Sequence, residues 1–185
     1  MYLKNLFKSY RASLENNEVK KYYNEIVSLA RNSKLYIKGG VPDTLDGRFE
    51  LIILHCHFFI KRLSNAGPAE KIFAQDLINY MVKDFDRSLR EIGVGDLSVG
   101  KKIKFMVSAY YGRVNAYENS IKNKNIFDET LRKNLYGTIN PEIKEVKYMK
   151  KYIMNLLKFL NSIKDSELKD CFININNINQ GLLKC

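Results

Sequence analysis

Apolar residues recur along most of this chain at intervals of three and four, which is the spacing of one face of an α-helix. The pattern is densest over residues 46–63, where apolar side chains fall on two faces of the same helix. They are Phe49, Ile52, Ile53, Cys56, Phe59, Ile60 and Leu63 on one side, and Leu51, Leu54 and Phe58 on another. Because a helix that is apolar nearly all round is buried, this segment predicts the central and most buried helix of the fold. Phe49→Ala or Ile53→Ala should destabilise the protein by about 2–5 kcal/mol if the site is fully packed.

The rest of the chain predicts amphipathic helices around this central one, and no segment has a strong strand pattern. The predicted helices cover residues 3–14, 17–33, 68–92, 99–123, 126–137, 141–163 and 166–172. Within 99–123, the expected buried face comprises Val99, Ile103, Met106, Val107, Tyr110, Val114, Tyr117 and Ile121. We therefore predict an all-α fold, a single-domain helical bundle of about seven helices around a central buried helix, over residues 1–165, with a tail over 166–185.

Local signals mark where these helices begin and end. Asp43 or Thr44 can cap the free amide groups at the start of the central helix, and Pro68 suits the first turn of the next helix. Gly93 is predicted to end that helix, with Val94 making the apolar contact typical of a glycine C-cap. No internal repeat or low-complexity linker interrupts the series, so one domain is expected.

The stretch GDLSVGKK, residues 95–102, has the glycine and lysine spacing of a phosphate-binding loop. Such a loop follows a strand and places Ser or Thr after its lysine to hold magnesium. Here a predicted helix precedes the stretch, and Lys102 stands where the hydroxyl is needed. We interpret it as a helix–helix connector, in which Gly93, Gly95 or both have positive φ. Either Asp96 or Ser98 is expected to cap the helix that follows.

The charge of the chain is strongly basic, with 31 lysines and arginines against 20 acidic residues and a formal net charge of +11. One interpretation is that lysine is frequent throughout; the other is a surface that meets RNA, a ribosome or an anionic membrane face. No apolar run reaches the roughly 18 residues that span a bilayer. The basic segment 3–14 lacks the apolar stretch of a secretory signal, and a helix docked on the core is favoured over a membrane-surface helix or a transit peptide.

Cysteines and histidines do not form a recognisable metal or redox motif. The chain has three cysteines, Cys56, Cys171 and Cys185, and no CxxC pair. An odd number without such a pair suits a reducing compartment, and we expect Cys56 to be a buried thiol. His55 and His57 are two residues apart, so on a helix they point to different faces. We expect each to be satisfied by a hydrogen bond, His55 across the core, and we expect no metal site.

The carboxylates Asp76, Asp84 and Asp86 are the candidates for a magnesium–pyrophosphate site of the kind that helical prenyl-transfer enzymes use. Such a site needs carboxylates three or four apart on one face, usually on two facing helices, whereas Asp84 and Asp86 are only two apart. Their spacing instead predicts ion pairs, Asp84 with Arg87 and Asp86 with Arg90. No residue set predicts catalysis or a cofactor.

Three blocks stand in this order within about residues 35 to 140: VPDTLDGRFELIILHCHFFIKRL, FDRSLREIGVGDLSVGKKIK and the weaker LRKNLYG. Together they resemble the ubiquinol–cytochrome c chaperone family. The positions matched by the resemblance are Asp46, Gly47, Arg48, Phe49, Asp86, Leu89, Arg90, Gly93, Gly95, Asp96 and Lys102. The resemblance implies an assembly factor, not an enzyme, for ubiquinol–cytochrome c reductase, respiratory complex III.

The resemblance also implies partners. The expected client is newly made cytochrome b or its assembly intermediate, with a small partner protein or the ribosome as further candidates, peripheral membrane contact and no DNA. A bacterial member would work on the cytoplasmic side of the inner membrane, and a eukaryotic one on the matrix side. The alternative functions are a basic RNA- or ribosome-binding protein and, less favoured, a helical lipid-metabolising enzyme.

A client-binding site is predicted at the turn between the helices 68–92 and 99–123, where charges of both signs concentrate. Its residues are Asp86, Arg87, Arg90, Asp96, Lys101 and Lys102, with Glu91 beside them. We expect this rim to orient a client, while an adjoining apolar groove supplies affinity.

Overall fold

The computed structural model describes residues 16–137 and 139–169, and in these ranges the chain is all-α with no strand. The helices are α1 Asn17–Ala30, α2 Ser33–Ile37, α3 Leu45–Ser64, α4 Pro68–Glu91, α5 Asp96–Ser120, α6 Lys124–Leu135 and α7 Ile143–Ser162, followed by a 3-10 turn at Asp165–Glu167. The predicted fold class is confirmed. The predicted helix 3–14 and most of the predicted tail lie outside the described residues.

Helix α3 is the centre of the bundle, as its sequence predicted. It contacts α1, α4, α5, α6 and α7, and 13 of its 20 residues are buried, including every residue from Glu50 to Ile60; its first turn remains largely exposed. Ile53 is fully buried, but Phe49 is only half-buried and packs its ring 5.0 Å from that of Phe85 on α4. Ile53 therefore meets the condition of full packing and Phe49 does not, because Phe49 lies near the start of α3 beside a pocket.

The predicted helix boundaries hold at three positions. The Thr44 hydroxyl accepts a hydrogen bond from the Gly47 amide at 3.2 Å, and Pro68 is the first residue of α4. Gly93 follows the end of α4 with φ 85°, and the Val94 amide donates to the Leu89 carbonyl at 3.0 Å. This is the glycine C-cap that the sequence predicted.

The prediction for the GDLSVGKK stretch needs correction. Gly95 has φ −63° and is itself the N-cap of α5, which begins at Asp96, so neither Asp96 nor Ser98 is the cap. The amides of Ser98 and Val99 already donate to the Gly95 carbonyl, and Val99 is fully buried. The connector is therefore the short segment 92–95, and most of the stretch forms the first turns of α5.

Both histidines of α3 make buried contacts, and His55 forms the hydrogen bond across the core that the sequence predicted. His55 Nδ1–H donates to the Leu51 carbonyl at 2.7 Å, which leaves Nε2 to accept from the Tyr152 hydroxyl of α7 at 2.6 Å. His57 Nε2 lies 3.1 Å from Glu118 Oε1 of α5. Burial lowers the pKa of each histidine to about 4. Among the described residues, no cluster of histidine, cysteine, aspartate and glutamate could hold a metal ion.

Candidate functional site

The N-terminal half of α5 packs against the core through Ile103 and Met106 but is only partly covered. Between the buried residues Val99 and Tyr110, every residue of this helix is exposed or half-buried. Five residues of the predicted buried face are only half-buried: Ile103, Met106 and Val107 in this half, and Val114 and Ile121 further along. Three large apolar side chains near this half face solvent: Ile92 at 55%, Leu97 at 101% and Phe105 at 74% of full exposure. The helix therefore presents apolar surface that the described part of the protein does not cover.

Phe105 overlooks a pocket of about 250 Å³ between the start of α3, the middle of α5 and the end of α6. The lining residues are Pro42, Asp46, Gly47, Phe49, Glu50, Phe105, Ala109, Arg113, Lys133, Asn134, Leu135 and Gly137. Apolar side chains form much of the wall, and ionisable groups stand both at the mouth and inside. A small number of polar groups in an apolar cleft is the usual composition of a binding site.

An ion pair between Glu50 of α3 and Arg113 of α5 lies inside this pocket. Arg113 Nη2 is 2.7 Å from Glu50 Oε1, and its Nε is 3.1 Å from both carboxylate oxygens. Glu50 is only 7% exposed, and burial raises the pKa of its carboxyl while the Arg113 guanidinium opposes that shift. The planar guanidinium thus fixes α5 against α3 and keeps a carboxylate charged within an apolar wall.

A close backbone approach forms the edge of the pocket beside α3. A Cβ atom at Gly47 would lie 2.0 Å from the Pro42 carbonyl oxygen, so a larger residue would push the preceding loop away from the helix. Glycine at this position lets the loop close onto the first turn of α3. Asp46, Gly47 and Phe49, three of the positions matched by the family resemblance, line the pocket at this edge.

The predicted rim is present at the α4–α5 turn, and its charges pair largely with one another. The predicted pairs Asp84–Arg87 and Asp86–Arg90 both form, the second at 2.7 Å. Arg90 also bonds Asp96 across the turn, which ties the end of α4 to the start of α5. These ion pairs stabilise the turn, and each of its acidic and arginine side chains already has a partner within it.

Lys101 and Lys102 differ from the other rim residues. Both are exposed, and neither enters an ion pair within residues 16–137 and 139–169. They precede Phe105 by four and three residues, so they lie on the same face of α5, one turn before the pocket. The structure thus places these two predicted site residues beside the pocket, while Asp86, Arg87, Arg90 and Asp96 belong to the turn.

Sequence reasoning missed Phe105, Glu50 and Arg113. One signal was available, since Glu50 is the single carboxylate between Asp46 and Lys61 in an otherwise buried helix, and a buried carboxylate needs a cation. Its partner, Arg113, is 63 residues further along the chain, and hydrophobic periodicity does not indicate contacts between residues so far apart in sequence.

Comparison with known proteins identifies the class of this protein. Residues 38–170 match the ubiquinol-cytochrome C chaperone family, and the chain belongs to that family of assembly chaperones. It is 21% identical over 136 residues to the ubiquinol-cytochrome-c reductase complex assembly factor 1 of Xenopus laevis, covering 73% of this chain and 68% of that one. The human assembly factor 1 is 20% identical over 150 residues, 79% of this chain and 49% of its own, so the chain spans about half the length of that relative.

A solved structure shares this fold over most of the chain. The crystal structure of the Cbp3 homolog from Brucella abortus superposes with a TM-score of 0.74 at 31% identity, covering 91% of this chain and 93% of the other. The family suggested by the sequence blocks is thereby confirmed. In the part of the chain that the structure describes, the helices all fall short of the combined length and apolarity that a bilayer crossing requires.

Proposed function

We propose that this protein binds newly made cytochrome b, or an intermediate that contains it, during the assembly of ubiquinol–cytochrome c reductase. The proposed binding surface combines the pocket with the exposed face of α5. The single observation that carries it is the 74% exposure of Phe105 at the mouth of a pocket that also contains Phe49 and the Glu50–Arg113 pair.

Apolar surface is the source of affinity in this proposal. A helix or loop of a membrane protein that has not yet met its partners carries apolar side chains, and one of these fits between Phe105 and Phe49. Burying an aromatic side chain that is largely exposed contributes about 1.5–3 kcal/mol. Contacts of this size, added to those of Leu97 and Ile92, suit a complex that must later release its client.

Charge has a separate role. Arg113 is 32% exposed in its side chain and has donors beyond those that bond Glu50, so it can meet a client carbonyl at the pocket. Lys101 and Lys102 can attract a carboxylate on the client, which sets orientation more than affinity. Asp86, Arg87, Arg90 and Asp96 act by holding the turn from which α5 projects.

The test replaces Phe105→Asp in a strain that depends on this protein for complex III. We expect cytochrome b, measured from reduced-minus-oxidised spectra of the membranes, to fall toward the level of a deletion strain. Cytochrome c and the other respiratory complexes should stay near normal. The matched control is Ile72→Asp, since Ile72 of α4 is 66% exposed and does not line the pocket. Equal cytochrome b in the two variants, at equal protein level, would contradict the pocket assignment.

The rim assignment is tested separately from the pocket. Lys101→Glu with Lys102→Glu should reduce co-purification of cytochrome b while the melting temperature changes little, because neither side chain has an ion-pair partner among the described residues. Charge reversal at Arg90 should instead lower the melting temperature, because it breaks the contacts with Asp86 and Asp96. Normal cytochrome b in a clean deletion strain that possesses complex III would overturn the client itself, and would favour the RNA- or ribosome-binding function.

A further inference from the structure

The outer face of α7 carries a row of lysines that the pocket does not use. Residues on this face follow one another at intervals of three and four: Lys144, Lys147, Lys151, Met154, Lys158 and Asn161. All six are exposed, whereas the opposite face buries Val146, Met149, Tyr152, Ile153, Leu156 and Leu160. At 1.5 Å per residue the row is roughly 25 Å long. We call it the α7 lysine row.

Acidic residues are missing from this part of the chain. No aspartate or glutamate occurs between Glu145 and Asp165. Lys144 pairs with Glu142 at 2.8 Å at the start of the helix, but no ion pair within residues 16–137 and 139–169 involves Lys147, Lys151 or Lys158. A like-charged row without local compensation is unfavourable in the isolated protein, and a partner with negative charge relieves it.

The shape and composition of the row favour a membrane surface over a nucleic acid. Lysines are its only charged residues, and it contains neither arginine nor an aromatic side chain on which a base could stack. An apolar side chain, Met154 at 39% exposure, stands in the middle of the row, and Ile143 at 67% flanks its start. Because the apolar face of α7 packs on the core, a membrane would meet only its lysine-rich face with a few apolar side chains, which is the composition of a basic patch that binds anionic lipid headgroups peripherally.

We infer that the α7 lysine row docks this protein on an anionic lipid bilayer, with Met154 and Ile143 reaching the boundary between headgroups and acyl chains. The inference goes beyond the proposed client pocket and does not depend on it, because α7 contributes no residue to that pocket. Each lysine near such a surface contributes about 1 kcal/mol, and 1.4 kcal/mol is a factor of ten, so three unpaired lysines can raise the affinity by about a hundredfold.

The experiment is co-sedimentation of the purified full chain with vesicles. One set contains phosphatidylcholine alone, and the other also contains about one third phosphatidylglycerol. We expect binding to the anionic set only, weakened by added salt. The variant Lys147→Gln, Lys151→Gln, Lys158→Gln should lose about a hundredfold in affinity, and the charge-reversed version with glutamate at the three positions should lose more.

The matched control carries the same change of charge elsewhere. Lys20, Lys21 and Lys38 are exposed lysines on α1 and after α2, and none enters an ion pair among the described residues. Their triple replacement by glutamate should leave most of the binding intact. Equal loss in the two triple variants would mean that net charge and not the row governs binding, which overturns the inference. Failure of the wild-type chain to bind anionic vesicles also overturns the inference. So does an α7 triple variant that still binds vesicles as the wild type does but no longer binds a single-stranded oligonucleotide.

Discussion

Helix α3 and the N-terminal half of α5 are both rich in apolar residues at helical spacing, yet they meet different surroundings. Five other helices contact α3, and 13 of its 20 residues are buried. In α5 the residues between Val99 and Tyr110 are exposed or half-buried, and Phe105 projects into solvent. The difference teaches that periodicity indicates which side of a helix is apolar, whereas the position of the neighbouring helices decides how much of that side is covered.

The largest expected effect separates the two regions by stability. Ile53→Ala in α3 leaves a cavity beside well-packed neighbours and should lower the free energy of unfolding by about 2–5 kcal/mol. Phe105→Ala in α5 removes a side chain that is already 74% exposed, and should change it by less than about 0.5 kcal/mol. Urea unfolding of both variants measures the contrast. A large loss for Phe105→Ala would mean that the exposed half of α5 is covered in solution.

Acid should weaken the protein through α3. His55 has a pKa of about 4 in the folded chain against 6.5 as its ordinary value, because burial disfavours the charged ring. The unfolded chain therefore takes up the proton first as the pH falls. His55 therefore leaves the free energy of unfolding unchanged above pH 6.5. Between pH 6.5 and pH 4 it lowers that free energy progressively, by about 3 kcal/mol in total for a shift of this size.

The measurement is the urea midpoint at several pH values between 4 and 7. His57, whose pKa burial also lowers to about 4, adds to the same slope. His55→Gln preserves a polar side chain beside Tyr152 and Leu51 but cannot titrate, so its midpoint should depend less on pH than that of the wild type. An unchanged slope in this variant would mean that His55 is not responsible for the acid sensitivity.

The ion pair that joins the two regions should respond unequally to loss of either partner. Arg113→Gln leaves Glu50 as a buried carboxylate without its cation, and should lower the free energy of unfolding by about 3 kcal/mol. Glu50→Gln leaves Arg113, which is 32% exposed and can reach water, so the loss should be nearer 1 kcal/mol.

Acid distinguishes the two variants further. Because burial already raises the pKa of Glu50, removal of Arg113 should raise it more, and protonation at low pH should then restore part of the lost stability. Glu50→Gln has no carboxyl to protonate at this position and should recover nothing by this route. Equal losses in the two variants at neutral pH would contradict the assignment of Glu50 as the buried member of the pair.

How much of this could be predicted from sequence follows the same division. The all-α class, the central helix, Thr44, Pro68 and Gly93 could be predicted, because hydrophobic periodicity and helix caps are properties of neighbouring residues. The rim pairs could be predicted for the same reason, being three or four residues apart on one helix. The Glu50–Arg113 contact and the exposure of Phe105 could not, because they depend on how α3, α5 and α6 meet in space.

The smallest effect concerns the two glycines that lead into α5, whose conformations differ. Gly93 has φ 85°, Gly95 has φ −63°, and a Cβ at either would meet no atom within 4 Å. A Cβ atom would therefore fit at either position, and the two glycines differ only in backbone conformation. Gly93→Ala should lower the free energy of unfolding by about 1–2 kcal/mol, the cost of a left-handed conformation for an L-residue. Gly95→Ala should lower it by less, about 0.5 kcal/mol, because its φ suits any residue and only its N-cap position disfavours alanine. Since the turn aims the exposed half of α5, Gly93→Ala should also reduce cytochrome b capture more than Gly95→Ala does. Equal stability of the two variants would mean that the turn relaxes freely, and that the direction of α5 is set by its packing on α4 and not by Gly93.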